Sequence, residues 1–465
     1  MRLRVWGAVL AATAVVCMTP AYADIFTLND ALGVAYETNP NLDAQRASLR
    51  AVDEQVAQAH ANWRPTINAG GTYGTERVGF EPVTISPFGT ISALSAHPVQ
   101  GQLIVSENIF RGGRTYAEIK RAKALVGVGR AQLIAQEQTT LLSAVTAYMN
   151  VVRDMAIVSL NKSNVAVLKK QRDETKAEFS AGSLTKTDVA QSEARLAGAQ
   201  SALTTAESNL QTSRADFENA IGRPAETLEE QPALPKLPDT TDMALDVAVR
   251  TNPALIQAQA NEKAADYAVD DALGALAPSI SVQGQYQYSG DALGTGFGTV
   301  GGTGSVDRVT AIVGQLNVPI YQGGAEDATV RQAKELHNQT VLIIASTDRQ
   351  VRDAVRGAWA SFQSSSANIS SDEVQLNADQ IAFVGVQREQ QVGGRTVLDV
   401  LNAEQELLNS QVALVTARRN TVVTAYQLLA SEGKLTARDL GLKVRFYDPL
   451  VHYDEDSAKW FGLGD

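Results

Sequence analysis

Two periods alternate along the chain. From Thr27 to about Asn62 the apolar positions Leu28, Ala31, Leu32, Ala35, Leu42, Leu49, Val52 and Val56 recur by threes and fours, which predicts a helix buried along one face. Trp63-Arg64-Pro65 ends it, because proline lacks the N–H that continues the ladder and holds its predecessor toward extended geometry. The period then becomes two: Ile67, Ala69, Gly71 and Tyr73 alternate with Thr66, Asn68, Gly70 and Thr72. This predicts a strand at about 66–75. A stretch from 75 to 98, rich in Gly, Pro, Ser and Thr, reads as a long loop, and alternation resumes at about 99–110. The second half repeats the scheme, with strands at about 279–288 and 309–320 around a glycine-rich loop.

Helical patterns dominate the remainder. Neither 114–181 nor 325–392 contains a proline, so each predicts a helix of about 68 residues, roughly 100 Å long at 1.5 Å per residue. Shorter helices follow at about 187–221 and 396–431. In the second long helix Thr340, Ile344, Thr347, Val351, Ala354 and Ala358 keep heptad spacing, and such small seam residues let supercoiled neighbours approach closely. Two short helices stacked end to end match one long one.

The two halves are copies. Gly182, Thr185, Asp188 and Val189 return 211 positions later as Gly393, Thr396, Asp399 and Val400, and Phe110-Arg111-Gly112-Gly113 returns as Tyr321-Gln322-Gly323-Gly324. Nearer the start of each half the offset is 213, linking Thr38-Asn39-Pro40 to Thr251-Asn252-Pro253. A tandem duplication is expected, with a first repeat at 24–233, a second at 234–440, a linker marked by Pro232, Pro235 and Pro238, and a C-terminal tail at 441–465.

Composition narrows the setting. Arg2 and Arg4, an apolar run from Val5 to Val16 and Ala21-Tyr22-Ala23 have the layout of a signal peptide over 1–23, which predicts export. The single cysteine, Cys17, falls inside it, so the mature chain is expected to hold no disulfide and no thiolate metal site. A lipoprotein reading of Cys17 is disfavoured, since Val15-Val16 are not the small residues that site wants. The formal charge of -11 becomes -13 without Arg2 and Arg4, which argues against nucleic acid or anionic headgroups as main partner. No later run approaches the ~20 apolar residues of a membrane helix, so any crossing requires a closed barrel. The half-apolar strands are near the ~9–11 residues that cross an outer membrane at a tilt. Four cannot close, since about eight strands make the smallest barrel, whereas three copies supply twelve.

The chemistry-bearing residues sit where helices reverse. Gly182 and Gly393-Gly394 end the long helices, and Thr-x-x-Asp after each can form the capping box that starts the next, making tips at 182–188 and 393–399. Nothing points to an enzyme or a cofactor. Gly296-Phe297-Gly298-Thr299-Val300-Gly301 fits a dinucleotide fingerprint as a string but has no helix after it to hold phosphate. His60, His97, His337 and His452 show no ligand spacing in the sequence. Tyr73, Phe110, Tyr286, Tyr288 and Tyr321 suit either an interfacial belt or packing between strands.

Ile-Phe-Arg-Gly-Gly at 109–113, Val-Pro-Ile-Tyr-Gln-Gly-Gly at 318–324 and the 392–401 tip, with the signal peptide and repeats, resemble the TolC-like outer membrane factors over roughly 25–440. The resemblance implies a mixed α/β membrane protein: a homotrimer with four strands per chain in a twelve-stranded outer-membrane barrel, continuous with an all-α periplasmic tube. It also implies an exit duct for type I protein secretion or drug efflux, docking a periplasmic adaptor and an inner-membrane transporter such as an ABC exporter. The closing Tyr-Asp-Pro, His-Tyr-Asp and Lys-Trp-Phe-Gly-Leu segments look more like members associated with type I secretion. At the entrance, the resemblance implies that Arg395 bonds to Thr187-Asp188 to hold the tube shut and that Asp399 favours cations. The family's tyrosine and second acid are here Gln390 and Asn402, which implies a weaker latch and milder selectivity. A helix cap alone also accounts for Asp188 and Asp399. A reading from another class, an adhesive trimeric coiled coil, explains the long helices but not the half-polar strands in both repeats.

Overall fold

The computed structural model describes residues 26–85, 89–291 and 306–462. The expected signal peptide and the 296–301 glycine string lie outside the described residues. The helix expected from Thr27 to Asn62 is two, α1 (Leu28–Thr38) and α2 (Pro40–Ala61), because Pro40 cannot donate to the turn before it. Asn39 then serves two helices at once. Its side-chain oxygen accepts from the N–H groups of Asn41 and Leu42, 3.0 and 3.3 Å away, capping α2. Its amide nitrogen donates to Ala220 O at 3.4 Å, and Thr38 Oγ1 donates to Ile221 O at 3.3 Å, at the end of α4 (Lys186–Ile221).

The second half builds the same joint. Asn252 stands between α5 (Thr241–Thr251) and α6 (Pro253–Gly274) and donates to Ser431 O at 2.8 Å, while Thr251 Oγ1 donates to Glu432 O at 2.7 Å. These carbonyls end α8 (Val397–Glu432) and have no partner within their own helix. Each half thus stacks a 22-residue helix on a 36-residue one beside a 67-residue helix, α3 (Arg114–Ser180) or α7 (Ala325–Gln391).

The strands β1 (Thr66–Tyr73), β4 (Pro98–Arg111), β5 (Ser279–Asp291) and β6 (Asp307–Asn317) form one antiparallel sheet in the order β1-β4-β5-β6. Cross-strand rows sort by face. Ile67, Val105, Gly284 and Ile312 share one row and Ala69, Leu103, Tyr286 and Thr310 the next, whereas Thr66, Ser106, Gln283 and Val313 and then Gly70, Gln102, Gln287 and Val309 line the opposite face, where the glutamines come from β4 and β5 and β6 contributes valines. β6 stops before the expected residue 320, since Pro319 cannot join a ladder. The expected loop at 75–98 is corrected: β2 (Glu76–Ile85) and β3 (Gly89–Ala96) form an antiparallel hairpin there. Its alternation is hidden in the sequence by Pro82 and by a register shift between Gly79 and Val83.

The largest core joins α1, α3, α4, α8 and the segment after α8, around Tyr148, Phe217, Leu141 and Leu32. Tyr148 donates to Phe26 O at 2.7 Å and accepts from the Glu229 N–H at 2.8 Å, which ties both the first described residue and the linker to α3. One stretch of α3 is long and apolar enough to cross a membrane, contrary to the sequence expectation, but half of it is buried within this body. On α7, only Val330, Val351, Val355 and Ala358 are buried. Val355 takes the seam position expected of Ala354, because four residues complete an unstrained turn better than three. The chain after α8 docks: Leu435 and Ala437 join the core, as does Leu442 of the tail, which had no expected role, and α9 (Pro449–Asp456) packs on α2. Arg46 lies over the rings of Tyr36 and Tyr447, 4.7 and 5.4 Å from their centroids.

Candidate functional site

Both tips are built by short-range hydrogen bonding. Gly182 and Gly393 each have φ of +78°, the left-handed conformation that reverses a helix end without a Cβ penalty. Ser183 N–H donates to Glu178 O at 3.0 Å and Gly394 N–H to Glu389 O at 2.8 Å, closing equivalent turns. Thr185 and Thr396 cap α4 and α8. The N–H groups of Thr185 and Thr396 each lie 2.9 Å from Oδ2 of Asp188 and Asp399, and both capping boxes are complete. Thr185 holds the Asp188 carboxyl below the usual carboxylate range, first through its hydroxyl and then its N–H. For Asp399 the Thr396 N–H contributes most and the hydroxyl next.

Within one chain Arg395 pairs with Glu389 of its own tip, Nε to Oε2 at 2.9 Å, rather than with Thr187 or Asp188. Both side chains are about half exposed, so the pair contributes little to stability. Thr187 lies exposed in the first turn of α4, and the Gln390 carbonyl accepts from the Gly393 N–H at 2.9 Å. Asn402 accepts from Arg195 Nη2 at 2.8 Å, which links α8 to α4. Below the tips Val397 and Leu401 pack with Leu168, Leu196 and Ala199, so the two hairpins stand side by side.

Three participants escaped the sequence reading. Glu389 is six residues from Arg395, across a turn whose geometry sequence spacing does not give. Arg195 meets Asn402 only because α4 and α8 are neighbours. Glu404, 6% exposed with Oε2 unbonded, carries no sequence signal of burial beyond its place two turns into an apolar helix face. Burial pushes its carboxyl up to about 7 from 4.5. Since the folded value exceeds the unfolded one, the stability it contributes is fully present below about 4.5 and lost as pH rises through about 7. The melting temperature is therefore expected to fall across that window, and Glu404→Gln to flatten the fall, by circular dichroism.

The family described as Outer membrane efflux protein matches residues 31–223 and 244–434, one span in each repeat. The outer membrane efflux protein BepC of Brucella suis is 34% identical over 439 residues, covering 94% of this chain and 92% of the relative. The outer membrane protein TolC of Escherichia coli is 24% identical over 419 residues, covering 87% and 81%. Among solved structures, the outer membrane protein VceC of Vibrio cholerae superimposes with a TM-score of 0.72 at 20% identity, covering 87% of this chain and 96% of that one. A half-polar sheet joined to paired long helices, and a match running through both repeats, make this chain a member of the outer membrane efflux protein family, TolC-like channels of the outer membrane that are not enzymes.

Proposed function

We propose that three copies of the chain close a twelve-stranded barrel and a helical tube, forming the exit duct for type I protein secretion, efflux or both. The observation that carries this reading is the sheet itself. One face carries Ile67, Leu103, Val105, Tyr286 and Ile312 and the other the glutamines of β4 and β5, and among the described residues β1 and β6 each present an unpaired edge. An edge of this kind is a template for another chain, and β6 of one copy against the next copy's β1 continues the ladder. α7 supports the same reading, since it buries little for its length and leaves Leu342, Val374 and Ile381 about 70% exposed, at 71%, 70% and 67%. The duct has no energy source of its own, so a periplasmic adaptor and an inner-membrane transporter such as an ABC exporter drive it. Deleting the gene tests the cargo. Loss of a secreted protein without drug sensitisation supports secretion, and sensitisation alone supports efflux, the activity named for BepC.

The tips form the entrance in this reading. Arg395 exchanges Glu389 for Thr187-Asp188 when the tube closes, with Asp399 beside it as the acid of the mouth and Gln390 and Asn402 in place of a stronger latch. Arg395→Ala is expected to raise single-channel conductance several-fold in planar bilayers while leaving the melting temperature unchanged, because the exposed pair it removes stabilises little. Unchanged conductance rejects the latch.

A further inference from the structure

The C-terminal helix is fastened to α2 by a cluster that the channel reading does not use. His452 and Asp456, one turn apart on α9, face Asp53 and Glu54 of α2. His452 Nε2 lies 3.0 Å from Asp456 Oδ2 and 4.0 Å from Glu54 Oε1, and the three donor atoms fall within 4.8 Å of one another. On the other side of the ring Asp53 Oδ2 lies 3.5 Å from Nδ1. Asp53 is 1% exposed, and neither of its carboxylate oxygens has a hydrogen-bond partner; His452 Nδ1 is buried without one as well. Burying a carboxylate that makes no hydrogen bond and that the histidine ring approaches at 3.5 Å is costly, and a plain packing joint between two helices does not require one.

We propose that His452, Asp456 and Glu54 bind one divalent transition-metal cation of the Zn2+ type, with Asp53 as the positioning residue for the imidazole. An imidazole nitrogen and two carboxylate oxygens are a donor set that Zn2+ takes with water in the fourth position. A proton on Nδ1, directed at Asp53, turns the Nε2 lone pair toward the ion and makes the ring a better ligand. Asp456 divides its oxygens between two tasks, Oδ1 taking the Lys459 ammonium and Oδ2 facing the ion. The imidazole favours Zn2+ over Ca2+ or Mg2+, which prefer all-oxygen sites. The cation would offset the excess of carboxylates and pin the tail to the helical body.

The full-length protein, purified in detergent and stripped with a chelator, is titrated with ZnCl2 by calorimetry, with bound metal counted by elemental mass spectrometry. One Zn2+ per chain is expected. Glu54→Gln, at a half-exposed side chain that folding does not need, is expected to weaken binding about tenfold, and His452→Ala to abolish it. Asp53→Asn is expected to weaken binding roughly 10- to 100-fold at unchanged stoichiometry and to shift the visible absorption of the Co2+-loaded protein, which a purely structural role would not move. Circular dichroism melting without metal confirms that each variant is folded. Absence of bound zinc overturns the proposal and leaves an ion-paired histidine; equal affinity in folded Glu54→Gln and His452→Ala, or displacement of Zn2+ by equimolar Ca2+ or Mg2+, overturns it as well.

Discussion

Replacing Phe217 by alanine is expected to cost about 3–5 kcal/mol of stability, read from the shift in urea midpoint at unchanged slope. Phe217 is fully buried on α4, with its ring 6.1 Å from that of Tyr148 and tilted by 41°. It sits in the core where α1, α3, α4 and α8 converge. The size of the loss depends on whether neighbours can collapse into the space. Tyr148 cannot follow readily, because its hydroxyl is held between Phe26 O and the Glu229 N–H. A cavity therefore remains, and its cost adds to the lost transfer energy. Phe179→Ala, at a ring 44% exposed near the first tip, is expected to lose far less.

The second large effect is expected at Gly433→Ala, about 3 kcal/mol or more, against about 1–2 kcal/mol for its repeat counterpart Gly222→Ala. Both glycines end a 36-residue helix in the left-handed region, at φ of +82° and +85°, so the conformational penalty is common to both. Their surroundings differ. A Cβ on Gly433 would lie 2.3 Å from Thr251 O and 2.8 Å from Asn252 Cα, which are backbone atoms of the joint itself. A Cβ on Gly222 meets Thr38 Oγ1 at 3.1 Å, a side-chain atom that needs to yield only a few tenths of an ångström, at the expense of its 3.3 Å bond to Ile221 O rather than of the backbone. Relieving the first overlap moves the residues whose side chains hold the Ser431 and Glu432 carbonyls, so the stacked strut loosens. Equal melting shifts for the two variants would contradict this account of the joint.

These joints mark how far the sequence could be read. Thr38-Asn39-Pro40 and Thr251-Asn252-Pro253 were visible as repeated strings. Their bonding to the ends of α4 and α8 was not, because it spans about 180 positions: the Thr38–Ile221 and Thr251–Glu432 bonds are separated by 183 and 181. The lengths of α3 and α7 were legible since nothing in either stretch breaks a helix, and the turn glycines and capping threonines were legible since their bonds span three to five residues. The β2–β3 hairpin was missed because Gly, Pro and Ser blurred its alternation. At the tips, Arg395 stood out by its motif, yet its partner Glu389 depends on the shape of the turn. The tail held aromatic and acidic residues without a period, and its docking follows from contacts with Tyr36 and Glu37 of α1, which lie about 400 residues upstream.

The central claim is that an open four-stranded sheet becomes a pore only when copies of the chain complete it. Native mass spectrometry of the purified protein, released gently from detergent, counts those copies directly. The account predicts a single dominant species of three chains, whereas a stable, folded species of one chain would contradict it.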